Sequence, residues 1–114
     1  MKRQQMITAG PVSVARLRAR CPASANVTAR AMLCFVVQQA RARAVPYAAY
    51  VAAHGILHGL TAGRCGAHVR ARVEDMTADE ILALVSEVTG ACATIADVPR
   101  YLNARVWQEM DACA

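Results

Sequence analysis

The run Ala31-Met32-Leu33-Cys34-Phe35-Val36-Val37 is apolar on every side. A helix of that kind has no face to offer water and belongs in the middle of a bundle. Periodicity alone leaves a buried strand over the same seven residues open. Composition favours the helix: the chain is 56% hydrophobic, rich in alanine, and has only five aromatic residues, Phe35, Tyr47, Tyr50, Tyr101 and Trp107. Close-packed helices accept such a mixture more readily than a sheet, which draws on β-branched and aromatic side chains. With 114 residues the chain has the length of one domain, able to bury roughly 65% of its unfolded surface. The expectation is an all-α, single-domain bundle of four to five helices over residues 11–114, with the helix near residues 27 to 43 at its centre and residues 1–10 as a loose basic arm.

The remaining elements follow from punctuation and period. Val14, Leu17 and Cys21 form one helical stripe, ended by Pro22, with Arg16 and Arg20 on another face; partial alternation leaves strand as the minority reading. Asn26 or Thr28 suits the cap of the central helix. Pro46 suits the first turn of the next, in which Tyr47, Tyr50, Val51, His54 and Leu57 recur at three- and four-residue spacing as its apolar stripe, fading at Gly59 or Gly63. His68 to Val73 reads as a short basic turn. Thr77-Ala78-Asp79-Glu80 is a capping box opening a helix whose stripe is Ile81, Leu84, Val85 and Val88, closed by Gly90. Asp97 and Pro99 begin a last helix with Leu102, Val106, Met110 and Cys113 on one face, Trp107 beside it, and Arg105 placed to pair with Glu109.

Charge divides the chain. Residues 1–73 hold eleven basic side chains and no acid; residues 74–114 hold two arginines against eight acids, a net of −6 that brings the total to +5. Such asymmetry points to a polyanionic partner, or to pairing of the halves within one chain or between two. Nearly all the cations are arginine, the side chain suited to bidentate phosphate contact. Arg16, Arg18, Arg20, Arg41, Arg43, Arg70 and Arg72 are the candidate polyanion-binding residues. Aromatic residues are almost absent from these stretches, which favours backbone contact or one helix in a duplex groove over single-strand binding.

No apolar leader follows Met1, and the longest apolar runs fall well short of the ~18 residues of a membrane span. The cysteines at 21, 34, 65, 92 and 113 are odd in number and include no CxxC pair, so they read as reduced apolar fillers in a soluble, cytoplasmic protein.

All three histidines, one cysteine and four of the six glycines lie between His54 and His68. His54, His58, Cys65 and His68 form an H-x3-H-x6-C-x2-H pattern, four donors that tetrahedral zinc accepts. Gly55 stands where a metalloprotease helix carries its glutamate, so the expectation is a closed structural site. The alternative is His54 packed in the core, with His58 and His68 near helix ends. Cys65, flanked by Arg64 and His68, is placed for a lowered pKa. The Cys65, His68 and Thr77-Ala78-Asp79-Glu80-Ile81 stretch resembles the cysteine, histidine and following helix start of the carboxymuconolactone decarboxylase and AhpD peroxidase family, which implies thiol chemistry at Cys65. No second cysteine stands three residues ahead of Cys65, at position 62, as a resolving partner. Pro99 to Trp107 resembles C-terminal helices of phage replication-type proteins, which implies a phage or mobile-element origin.

The resulting expectation is a non-enzymatic binding or regulatory protein whose basic N-terminal half docks on nucleic acid or an acidic protein surface. The alternative is a homodimer or larger homo-oligomeric adaptor carrying the His/Cys metal site; a thiol enzyme is the third class.

Overall fold

A computed structural model describes residues 12–21 and 27–113, with the side chains at 107 and 109–113 outside the description. The described residues form six helices and no strand: α1 (Val14–Arg20), α2 (Ala29–Arg41), α3 (Tyr47–Thr61), α4 (Ala67–Glu74), α5 (Ala78–Ala91) and α6 (Asp97–Cys113). The all-α expectation holds, and the four-to-five-helix count is corrected to six. The addition is α4, where a basic turn is expected. Its eight residues bury only Val69 and Val73, so the apolar signal over so short a length is two residues one turn apart. The expected basic arm, residues 1–10, lies outside the described residues.

Local chemistry explains the boundaries. Ser13 and Thr28 cap α1 and α2 by accepting the amides of Arg16 and Ala31. At the start of α5 the Thr77 hydroxyl accepts the Glu80 amide at 3.2 Å while the Glu80 carboxylate accepts the Thr77 amide at 2.9 Å, the reciprocal pair expected. Helix α2 ends in a Schellman turn, with the Ala44 amide donating to the Gln39 carbonyl and the Arg43 amide to that of Ala40. Arg43 occupies the left-handed position of that turn at φ 63°.

Packing departs from expectation in the choice of central helix. Helix α3, and not α2, lies against three substantial neighbours, α2, α5 and α6. Within the all-apolar run of α2, Met32, Leu33, Val36 and Val37 are buried, but Cys34 is exposed and Phe35 half-buried. Helix α3 buries Ala49, Val51, Ala52, Ala53, Gly55, Ile56, Gly59 and Leu60. Small residues there bring other backbones close: a Cβ on Gly55 would lie 2.5 Å from Cγ2 of Val98, and one on Gly59 2.5 Å from Sγ of Cys65. The helix therefore runs through both glycines instead of fading at Gly59, and only Gly63, at φ +70° beyond its end, serves the turn.

Helix α5 buries Ile81, Leu84, Val85 and Val88 as expected, and carries α1 on its surface. A buried clasp fixes that contact: Thr89 Oγ1 accepts the Val12 amide at 2.9 Å and donates to the Ser86 carbonyl at 2.7 Å, and Ser86 Oγ donates to the Val12 carbonyl. Of the expected α1 stripe, Leu17 is buried, Cys21 half-buried and Val14 exposed. Among the described residues, no helix is long and apolar enough to cross a membrane.

The charge asymmetry is partly consumed inside the chain. Arg18 Nε lies 3.2 Å from Asp79, and Arg30 3.6 Å from Glu74, each joining the basic half to the acidic half. Both pairs are solvent-exposed and contribute about 0–1 kcal/mol each. Arg105 Nε donates to Glu87 at 2.6 Å; the side chain of Glu109, its expected partner, lies outside the description.

Candidate functional site

The outward side of α3 carries a row of rings. Tyr47, Tyr50, His54 and His58 follow at steps of three, four and four residues, the spacing that stacks side chains along one helical face. Ring centroids are 5.3 Å apart from Tyr47 to Tyr50, 5.3 Å from Tyr50 to His54 and 6.4 Å from His54 to His58, with planes inclined by 26°, 15° and 4°. Tyr47 ends the row and is 71% exposed. The His54 Nδ1 atom is buried within the row without a hydrogen-bond partner.

The row runs between two grooves. The first, of about 700 Å³, is lined by Arg16 from α1, Arg41 and Arg43 from the end of α2, the Val45-Pro46 link, and Tyr47 and Tyr50. The Arg41 guanidinium carbon lies 5.7 Å from the Tyr50 ring centroid, within cation–π range. The second groove, of about 490 Å³, is lined by His58, Arg64, Ile95, Pro99, Arg100 and Asn103. Asn103 braces its rim by accepting the Gly66 amide at 2.9 Å. Among the described residues no acidic side chain lines either groove, and Arg18, Arg30 and Arg105 each meet a carboxylate elsewhere in the fold.

The expected site residues are divided by this geometry. Of the seven candidate polyanion-binding arginines, Arg16, Arg41 and Arg43 come together in the first groove. Arg18 is paired with Asp79, Arg20 is exposed at the end of α1, and Arg70 and Arg72 are exposed on α4; none of these four lines either groove. Arg64 and Arg100, not among the expected residues, line the second. The ring row was legible as a period, but the same spacing reads as a core stripe until the opposite face of α3 is seen to be the buried one.

The four expected zinc donors do not gather. His54 and His58 share the ring row, Cys65 is buried against Gly59, and His68 is exposed near the start of α4. Among the described residues no three His, Cys, Asp or Glu side chains stand where they could hold one metal ion. The cause is the start of α4 at Ala67, which turns Cys65 inward and leaves His68 on a separate helix.

The expectation of a lowered Cys65 pKa is also corrected. Burial pushes this thiol up, and Arg70, not Arg64 or His68, is the cation that opposes the rise. Burial likewise raises Cys21 and Cys92. Cys21, Cys34, Cys65 and Cys92 are free thiols.

Compared with known proteins, the chain matches no family model, no curated protein and no solved structure.

Proposed function

We propose that the chain is a non-enzymatic binding protein whose α3 face docks on a polyanion, and that the polyanion is nucleic acid. The observation that carries this reading is the placement of Arg16, Arg41, Arg43, Arg64 and Arg100 in two acid-free grooves joined by one row of rings. Guanidinium groups left unneutralised by the protein's own carboxylates are available to phosphates, which they can grip in bidentate fashion. Aromatic rings between them add stacking surface that an acidic protein partner would not require. The raised pKa of Cys65 disfavours the thiolate a peroxidase-type mechanism needs, which supports a non-enzymatic reading. Free thiols fit a reducing, intracellular setting.

The test is a salt titration of nucleic-acid binding. Binding should weaken linearly in log salt with a slope of about −0.7 to −0.9 per phosphate neutralised. Replacing Arg16 and Arg41 together by alanine should lower the slope by about 1.5, whereas replacing Arg70 and Arg72 should leave it nearly unchanged. Absence of binding at about 50 mM salt would remove the reading and direct attention to the homo-oligomer alternative, which light scattering would then examine.

A further inference from the structure

We propose that the ligand of this face is single-stranded nucleic acid, with an unpaired base stacked on Tyr47 and the adjoining phosphates held by Arg16, Arg41 and Arg43. The inference rests on the polyanion reading above and narrows it.

Tyr47 is an exposed aromatic ring in a groove with three guanidinium groups. A stacking platform beside a phosphate-tracking groove is the combination by which single strands are held without sequence preference. A duplex offers phosphates and groove edges while its bases stay stacked on one another, leaving Tyr47 with nothing to cover it.

The shape of the fold points the same way. A helix that reads a duplex groove has to stand clear of its neighbours and enter the groove. Helix α3 is enclosed by α2, α5 and α6, and its outward strip runs between the two arginine-lined grooves. From Tyr47 to His58 the helix advances about 16 Å. At the ~3.4 Å rise of stacked bases that strip is matched by roughly five nucleotides, reaching from the first groove to Arg64 and Arg100 in the second.

The third observation is Arg43. It occupies the left-handed position of a helix-ending turn at φ 63°, a place where glycine is the usual residue because any Cβ there is strained. An arginine held in that conformation against its steric preference, with its side chain lining the groove, is the kind of local cost that accompanies a binding role.

The experiment is fluorescence anisotropy of the full chain with a labelled oligothymidine of about ten nucleotides, long enough to overrun the strip, and with a duplex of equal length at about 50 mM salt. The expected result is binding of the single strand at least tenfold tighter than of the duplex. Tyr47→Ala should weaken the single strand about tenfold with little change in duplex affinity, and Arg43→Gly should weaken both. Because Tyr47 is 71% exposed, a thermal melt should show Tyr47→Ala folded as before. Equal affinity for duplex and single strand, or full single-strand affinity in folded Tyr47→Ala, overturns this inference and leaves the polyanion reading standing. Failure of both nucleic acids to bind overturns the two together.

Discussion

Helix α3 has two faces made of different chemistry. One carries Ala49, Ala52, Ala53, Gly55, Ile56, Gly59 and Leu60 and is buried, as is Val51; the other carries the exposed Tyr47 and the half-buried Tyr50, His54 and His58. The larger apolar surface belongs to the rings, so hydrophobicity alone would place them inside. Close packing decides otherwise. At Gly55 the small face lets Val98 at the start of α6 come so close that an added Cβ would lie 2.5 Å from it, and at Gly59 it admits Cys65 equally closely, and interiors at such density gain many dispersion contacts. Tyrosine and histidine also carry polar atoms that need partners when buried, a cost visible at the orphaned His54 Nδ1. One face of the helix thus holds the fold while the other carries the proposed binding strip.

The contrast can be broken most strongly from the packed side. Ile56→Ala removes a fully buried side chain and should cost about 2–5 kcal/mol, read as a lower denaturation midpoint. If Ile56 serves only packing, a variant that remains folded should keep its nucleic-acid affinity. Gly55→Ala comes next. Its new Cβ would meet Val98 at 2.5 Å, so α6 must shift, and the loss should be about 1–3 kcal/mol, partly offset by the roughly 1 kcal/mol better helix propensity of alanine. A stability equal to or above that of the parent chain would show the α3–α6 contact to be looser than described.

On the surface side the sign reverses. Arg43→Gly relieves the left-handed strain at φ 63° and should raise stability by up to about 1 kcal/mol while weakening binding. Stability and affinity moving in opposite directions would separate the binding face from the folding face in a single variant.

The smallest effect is alkaline. Tyr101, on the helix laid across the small face of α3, donates its hydroxyl to Glu87, and burial together with that bond pushes its pKa from 10.0 up to about 12. The unfolded chain releases this proton near pH 10 and the folded chain keeps it, so stability should decline as pH rises from about 10 toward 12. Tyr101→Phe should flatten that part of a pH–stability curve. An unchanged alkaline limb would place the decline elsewhere, for example on the thiols of Cys21, Cys65 and Cys92, which are also raised.

Much of the fold was legible in the residues because its causes are local. The capping box at Thr77 and Glu80, the Thr28 cap and the stripe Ile81, Leu84, Val85 and Val88 act within one or two turns of backbone, and each can be read from spacing alone. Helix α4 escaped notice because two buried valines make too weak a period. The candidate site was legible only in fragments. Arg16, Arg41 and Arg43 stood out as cations, yet no tyrosine or arginine of the ring row and grooves could be assigned to a common surface before α1, α2 and α3 were brought together.

The four donors of the zinc expectation illustrate the same limit. The donors at 54, 58, 65 and 68 are close in sequence, but His54 and His58 lie on α3, Cys65 on the link after it and His68 on α4, and among the described residues no three such side chains stand together. What the sequence by itself determined was five of the six helices, since propensity, capping and period are interactions between residues a few positions apart. Which face of α3 is covered, and which arginines share a groove with Tyr47, only the tertiary structure decided. Those outcomes depend on how closely Val98 of α6 and Cys65 can approach the glycines of α3, a steric fit between distant segments that no local pattern encodes.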